Sequence, residues 1–206
     1  DETAESLSQI ARLHAGRALL DRMPWIDRRI ASLAEAKYVT SEQLQEMLDG
    51  PRGDGLPPET RNAANLVTAM RTLAIRDAER PQFLVHGDAH AGNIFRNSDG
   101  TGLIDWQLLQ RGGWALDVAY HIAAVLPVEV AEREERNLLE HYLGEMHSLG
   151  HEMPDANEAW AQYREAMTYG YYLWSITRRV DPDIINLFVG RLGAAVTRHG
   201  SFALSA

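Results

Sequence analysis

The centre of the sequence carries the stretch HGDAHAGNIF at residues 86–95, followed closely by IDW at residues 104–106. The apolar run FLV, residues 83–85, comes just before it and predicts either a short strand or a buried helix segment. Between the two motifs, the turn-rich stretch NSDGT at residues 97–101 has short apolar-rich segments on both sides. This pattern predicts a β-hairpin, so the polar residues of both motifs are expected on loops held by short strands.

Three polar side chains of these motifs form a chemically coherent set. Asp88, Asn93 and Asp105 supply two carboxylates and one amide oxygen, and proteins usually hold Mg²⁺ by carboxylates together with water and phosphate oxygens. Folding the hairpin back would bring Asp105 towards Asn93 as a ligand pair. Asp88 would then remain free to accept the proton of a hydroxyl group or to orient that group. The residues therefore predict phosphoryl transfer.

The spacing of these residues resembles the aminoglycoside phosphotransferase and choline kinase-like family, small-molecule relatives of the protein kinases. The matching pattern is His86-x-Asp88-x-x-x-x-Asn93 followed by I-D-W. The segment GWALDVA, residues 113–119, is similar to the family's G-x-x-x-D-x-A motif, and ARLH, residues 11–14, resembles its L-x-x-L-H helix. The resemblance implies the C-terminal lobe of the protein-kinase-like fold: an α+β fold that is mainly α-helical, with short β-hairpins at the catalytic loop.

The resemblance also implies a role for each motif residue. Asp88 would be the catalytic base, and Asn93 and Asp105 would hold Mg²⁺, with Asp105 at the position of the Asp in D-F-G. Asp117 would open a helix and brace the catalytic loop, although an Asp suits a helix N-terminus on dipole grounds alone. ATP is the implied co-substrate, and a small molecule with a hydroxyl group is the implied acceptor.

The two histidines of the first motif are interpreted as structural. His86 and His90 are expected to brace the loop by hydrogen bonds rather than to carry protons. An alternative interpretation takes them, with Asp88 and Asn93, as part of a binuclear metallophosphatase site. Such a site needs an earlier D-x-H motif, and none precedes residue 86. The later histidines lie in predicted helices without a matching context, so the kinase-like interpretation is favoured.

Length and composition restrict the class of protein further. The 206 residues, 45% of them hydrophobic, suit one domain or the large lobe of a two-lobed protein. The absence of cysteine excludes disulfides and thiolate metal sites and fits a cytoplasmic location. Neither a signal peptide nor an apolar run of about 18 residues is evident, so no membrane partner is expected. The net charge of −9 argues against nucleic acid as a partner.

Apolar residues recur at helical spacing along most of the chain. Local start and stop signals, such as the capping pair Thr40 and Gln43, help to place the ends of several helices. We predict helices over residues 5–22, 26–33, 41–50, 60–79, 117–126, 129–146, 155–174 and 181–200.

Two further segments bear on the site. Residues 50–58, GPRGDGLPP, lack the lysine and the serine or threonine of a phosphate-binding P-loop. They are predicted to be an exposed, flexible linker within a single unit of residues 1–206. The aromatic stripe from Trp160 to Trp174 is expected in the core. Its alternative interpretation is a surface that binds a cationic substrate through cation–π contacts.

A two-lobed kinase also needs an N-terminal lobe whose lysine contacts the nucleotide phosphates. The single lysine of this chain, Lys37, falls in a predicted helix instead. We therefore expect a fragment of a larger enzyme, or a shortened homologue, that is nearly inactive by itself. The predicted function is ATP-dependent phosphoryl transfer to a small-molecule hydroxyl; the alternative is a non-catalytic kinase-fold binding or regulatory module. Aminoglycoside, choline-like, sugar, amino alcohol and macrolide acceptors all fit the motifs.

Overall fold

The computed structural model describes residues 2–35, 38–98 and 100–205. Lys37, which we expected in a helix, lies outside these ranges. The dominant elements of the described residues are eight α-helices: α1 (Glu2–Ala15), α2 (Arg29–Ala34), α3 (Ser41–Asp49), α4 (Ala63–Glu79), α5 (Ala115–Val125), α6 (Val128–Ser148), α7 (Ala156–Ile176) and α8 (Pro182–His199). This content confirms the prediction of a mainly α-helical fold.

Four short strands form two antiparallel pairs around the central motif. They are β1 (Phe83–Val85), β2 (Ile94–Asn97), β3 (Gly100–Leu103) and β4 (Gln110–Gly112). Strands β2 and β3 form the predicted hairpin, whereas β1 pairs with β4 and resolves the ambiguous run at residues 83–85 as a strand. Strand β4 was not predicted, because three residues are too few to show a period. The loop of residues 86–93, the predicted catalytic loop, therefore connects strand β1 of one pair to strand β2 of the other.

Local capping signals explain where several helices begin and end. Thr40 and Gln43 form a complete capping box at the start of α3. The Asp155 carboxylate accepts two backbone N–H groups at the start of α7, and Asp181 with the following proline opens α8. Gly200 ends α8 with a φ of 59°, a left-handed conformation that glycine adopts without strain.

The N-terminal helices differ from the prediction in their bounds. The helix predicted over residues 5–22 ends as an α-helix at Ala15 and continues as a 3₁₀-helix, Gly16–Arg22. The next helix starts only at Arg29. Pro24 separates the two, because the residue before a proline is driven out of the helical region, and Met23 has φ −125° and ψ 61°.

Residues 50–58, which we predicted to be a flexible linker, contact the helical core through two side chains. They include a 3₁₀ turn, Pro51–Gly53, and Leu56 is buried in the main core. Arg52 donates hydrogen bonds to the Ser175 carbonyl at 2.7 Å and to the Thr177 carbonyl at 3.0 Å, at the end of α7. The glycines and prolines thus form tight turns, and the one large apolar side chain and the arginine anchor the segment.

Helix α5 lies in the middle of the helical layer and leads to the site. Every residue from Ala115 to Ala124 is buried, and the helix contacts α6, α7 and α8. Tyr163, Tyr171 and Trp174 of the aromatic stripe are buried in α7, which places most of that stripe in the core. None of the helices within the described ranges is long and apolar enough to cross a membrane.

Candidate active site

Asp117, in the first turn of α5, holds the start of the catalytic loop. Its fully buried carboxylate accepts the backbone N–H groups of His86 at 2.7 Å and Gly87 at 2.8 Å. The His14 ring, also buried, lies 3.1 Å away on the other side. Burial by itself raises the pKa of Asp117, but His14, His86 and the Gly87 amide outweigh burial and lower it. The carboxylate is therefore ionised and fixes two consecutive amides.

His86 connects the catalytic loop to the loop after the hairpin. Its Nε2 lies 2.9 Å from the Ile104 carbonyl, while its Nδ1 accepts the Asp88 backbone N–H at 3.2 Å. The Nδ1 atom thus serves as a hydrogen-bond acceptor, and the Nε2 atom faces the Ile104 carbonyl as a donor. The ring also packs edge-on against Trp106 at 4.8 Å between centroids. His86 is thus a positioning residue for the two loops that carry the aspartates.

The Asp88 side chain is held from the core by a short chain of hydrogen bonds. The Tyr120 hydroxyl donates to Asp88 Oδ1 at 2.9 Å. The Trp174 indole N–H in turn donates to the Tyr120 oxygen at 2.5 Å. Helices α5 and α7 therefore both fix the rotamer of this one carboxylate and leave its Oδ2 as the oxygen for a further partner.

The pKa of Asp88 is set by opposing effects. Burial raises it, and the negative charge of Asp105 adds to that effect. His90, the Tyr120 hydrogen bond and His86 act in the opposite direction and stabilise the ionised form. The net result is a pKa above the usual range of an aspartate, which makes the carboxylate a better proton acceptor than an exposed one.

The β2–β3 hairpin brings Asn93 and Asp105 close together, because Ile94 at the start of β2 pairs with Leu103 at the end of β3. The Asn93 side-chain N–H donates to the Asp88 carbonyl at 2.8 Å, so its Oδ1 is directed away from the loop backbone. The Ile104 N–H donates to the Asn93 carbonyl at 2.9 Å. Asp105 follows with a φ of 61°, in the left-handed region that non-glycine residues seldom occupy. Gln107 contacts its carboxylate at 3.3 Å.

One cavity of about 830 Å³ is lined by Asp88, Asn93 and Asp105 together. Over residues 2–35, 38–98 and 100–205, no three His, Asp or Glu side chains converge as a metal site. The donors fit Mg²⁺ nevertheless, because that ion takes one or two carboxylates and completes its shell with water and phosphate oxygens. The carboxylate of Asp105 and the amide oxygen of Asn93 are such donors.

His90 closes the other side of the catalytic loop. Its Nδ1 accepts the Gly92 backbone N–H at 3.1 Å, and its ring packs against Trp174 at 5.2 Å and Phe188 at 5.3 Å between centroids. Its Nε2 is 3.7 Å from Asp88 Oδ1. Burial lowers the pKa of His90 more strongly than Asp88 raises it. The His90 ring therefore supports the loop by packing against α7 and α8.

Further residues of the site were not predicted from the sequence. His121 Nδ1 lies 2.7 Å from the Ala89 carbonyl, and its Nε2 lies 2.8 Å from the Ser6 hydroxyl. Tyr169 donates to the Gly87 carbonyl at 2.8 Å. Tyr120, described above, belongs to the same group. The sequence feature that could have indicated these residues is the presence of polar side chains in the buried parts of helices α5 and α7. Their hydrogen-bond partners, however, are far away in the chain.

The strand pairs, the buried α5 and the loop between them define a kinase-like phosphotransferase fold. The ethanolamine kinase of Plasmodium vivax is similar in structure, with a TM-score of 0.51 and 17% identity, over 94% of this chain and 58% of that one. The macrolide 2′-phosphotransferase of Brachybacterium faecium gives a TM-score of 0.44 and 17% identity over 93% of this chain and 60% of that one. The chain thus spans about three-fifths of each.

The sequence shows the family. The family model described as the phosphotransferase enzyme family (APH) matches residues 3–164, and the chain belongs to that family. No curated protein sequence matches this chain. The predicted family and fold class are therefore confirmed, at the level of a small-molecule phosphotransferase family.

Proposed function

We propose that the chain is the C-terminal, catalytic lobe of a phosphotransferase that transfers the γ-phosphoryl group of ATP to a hydroxyl of a small molecule. The observation that carries the proposal is the single cavity lined by Asp88, Asn93 and Asp105. Membership of the phosphotransferase family supports the same conclusion. In this proposal residues 1–206 form one unit, and the cytoplasm, where ATP is abundant, is the expected location.

Asp88 is the proposed catalytic residue. The acceptor hydroxyl donates to Asp88 Oδ2, because Oδ1 is occupied by the Tyr120 hydroxyl. The hydroxyl oxygen then forms a bond to the γ-phosphorus, the bond from that phosphorus to the β-phosphate oxygen breaks, and the hydroxyl proton passes to Asp88. The raised pKa of Asp88 favours this last transfer. Catalysis rests on positioning and on charge stabilisation rather than on a covalent intermediate.

Asn93 and Asp105 are the residues that would hold Mg²⁺, which when bound supplies charge neutralisation at the β- and γ-phosphates. Asp105 provides the charge, and Asn93 provides an oxygen whose direction is fixed by the bond from its N–H group to the Asp88 carbonyl. Asp117, His86 and His90 are positioning residues in the proposal, since each of them holds the catalytic loop and not the reacting atoms.

The residues described above do not account for the binding of the α- and β-phosphates of the nucleotide. Lys37 is the only lysine of the chain, whereas kinases use a lysine of an N-terminal lobe to contact the α- and β-phosphates. We propose that the complete enzyme provides this lobe and that residues 1–206 by themselves bind ATP weakly. The competing proposal is a kinase-fold module that binds ligands without turnover.

The test uses the complete enzyme and measures ADP release with a panel of small-molecule alcohols. We expect acceptor-dependent ADP release that requires Mg²⁺ and is lost in Asp88→Asn. Asp54→Asn is the matched control, because Asp54 is exposed and lies in the segment of residues 50–58, outside the cavity. Nucleotide binding without turnover for every acceptor would favour the non-catalytic module instead.

A further inference from the structure

The cavity that contains Asp88 extends between the end of α7 and the start of α8, and this part is aliphatic. Its wall, here called the apolar wall, consists of Leu173, Ile176, Val180, Ile184 and Leu187. Ile184 and Leu187 are three residues apart on α8, so they lie on the same side of that helix.

Three of the five side chains of the apolar wall are exposed to an unusual degree for their type, whereas Leu173 and Ile176 are half-buried. Val180 is 38% exposed, Ile184 is 44% exposed and Leu187 is 48% exposed. Exposed aliphatic side chains that adjoin each other and line a concave site mark a binding surface rather than a solvated face. The wall starts beside the catalytic loop, where the His90 ring packs on Phe188. A ligand on the wall would therefore lie next to Asp88.

Few charged groups line the cavity. Its charged lining residues, within the ranges that the structure describes, are Asp88, Asp105 and Arg29. The two carboxylates are already assigned to the acceptor hydroxyl and to Mg²⁺, and Arg29 repels a cation. An acceptor with several ammonium groups would have to bury these groups in the cavity, which does not offer a carboxylate partner for each of them. The transfer of an unpaired charge out of water costs free energy.

Among the described residues that line the cavity, Tyr38 is the one exposed aromatic side chain, at 53%, and a single ring does not form a cage for a cation. Trp174 stacks on Phe188 at 4.3 Å between ring centroids, and His90 packs against both rings. Trp174 is 5% exposed and Phe188 is 6% exposed. Their faces are used in packing against each other, so they are not available to a quaternary ammonium group.

We infer that the acceptor is an uncharged alcohol with a broad aliphatic surface, which covers the apolar wall while its hydroxyl reaches Asp88. This inference rests on the proposed function, because it takes the cavity as the acceptor site. It narrows the acceptor classes that the motifs leave open, since it excludes polycations and small quaternary amino alcohols. The apolar surface supplies affinity, and the carboxylates of the cavity supply the chemistry.

The experiment is a binding titration of the complete protein by calorimetry without nucleotide. The probes are straight-chain alcohols from butanol to octanol, matched amino alcohols with an ammonium group at the far end, and kanamycin as a polycation. We expect the affinity of the alcohols to rise about 3- to 4-fold for each methylene buried. The amino alcohols should bind at least about tenfold more weakly than alcohols of the same length, and kanamycin should not compete with octanol.

Charge variants of the apolar wall make the test specific. Leu187→Asp should abolish the preference for octanol and strengthen binding of the amino alcohol, whereas Leu187→Lys should weaken both. Because Leu187 is half exposed, both variants are expected to fold, and circular dichroism verifies this. Ile75→Asp is the matched control, since Ile75 is 65% exposed on α4 and lies outside the cavity.

The outcomes separate this inference from the proposed function. Equal or tighter binding of the amino alcohols would overturn the inference. Octanol binding that Leu187→Asp leaves unchanged would also overturn it, because octanol would then bind away from the apolar wall. Selective octanol binding with no phosphorylation of any alcohol would instead refute the proposed function and leave the ligand class in place.

Discussion

Tyr120 donates a hydrogen bond to Asp88 from below the active site, over 2.9 Å. The pKa of Tyr120 lies well above its usual value, because the phenol is buried and faces the Asp88 carboxylate. The hydroxyl therefore stays protonated at every pH of interest and can only donate to that carboxylate. Since Trp174 donates to the same phenol oxygen, the direction of each bond in this chain is fixed.

Replacing Tyr120 with Phe should lower kcat by about tenfold, the typical cost of losing one hydrogen bond to a charged group. The Tyr120 hydrogen bond lowers the pKa of Asp88, so its loss raises that pKa further. The acidic limb of the kcat/KM profile should then move to higher pH, because Asp88 must be ionised to accept a proton. Tyr171→Phe is the control, since it removes another buried phenol, bonded to the Thr60 carbonyl. A profile that stays in place in Tyr120→Phe would contradict the role.

Asp88→Asn keeps the shape of the side chain and removes the proton acceptor. We expect kcat to fall by about 10²–10⁴-fold, the usual range for a general base, with nucleotide affinity almost unchanged. A loose transition state moves the proton late, which would place the loss near the lower limit. Steady-state kinetics in parallel with nucleotide titration measure both quantities. Added Mg²⁺ should not restore activity, because metal cannot replace a base.

Asp105→Asn should behave differently under the same titration. It removes negative charge from the proposed metal site, so both Mg²⁺-dependent nucleotide binding and turnover should weaken. Raising the Mg²⁺ concentration should partly restore them. If the Asp88 and Asp105 variants respond identically to added Mg²⁺, the assignment of Asp88 as the base and Asp105 as the metal ligand is wrong.

His121 should make stability depend on pH in a defined window. Burial lowers its pKa from 6.5 to about 4, so the unfolded chain takes up a proton between these values and the folded chain does not. Stability is therefore complete above pH 6.5 and decreases as the pH falls towards 4. The loss from this group is on the order of 3 kcal/mol. Urea unfolding of the wild type and of His121→Gln, which cannot titrate, should converge as the pH is lowered.

Leu56→Ala tests the packing of residues 50–58. The side chain of Leu56 fits against Gly193 of α8 so closely that a Cβ there would lie 2.5 Å from it. Truncation should leave a cavity and cost about 2–4 kcal/mol of unfolding free energy. Leu19→Ala, at a site that is 39% exposed, should cost less than about 1 kcal/mol. Equal effects in urea titrations would mean that the segment is a loose linker after all.

The sequence predicted those features whose causes lie within a few residues. The capping box at Thr40, the proline at the start of α8 and the turn between β2 and β3 are local, and each was placed correctly. Strand β4 and the contacts of Leu56 with α8 depend on distant partners, so the local pattern gave no information about them.

The motif also indicated which residues lie together in the site, but not what holds them. Asp88, Asn93 and Asp105 line one cavity, as their spacing suggested. The contacts of Tyr120, His121 and Tyr169 with the catalytic loop join residues that are 32 to 82 positions apart. A pattern search along the chain has no access to such pairs, because they arise only when α5 and α7 pack beneath the loop.

The position of Trp174 has a consequence for how this protein can diversify. Its ring lines the cavity, while its N–H group supports the tyrosine that holds Asp88. A substitution of Trp174 would alter ligand preference and turnover at the same time, so we expect this position to tolerate few substitutions. Val180, Ile184 and Leu187 make no such connection to the carboxylate, and they are free to vary independently. New ligand preferences in descendants of this protein should therefore arise at Val180 and in the first two turns of α8, without a change in the contacts of Asp88.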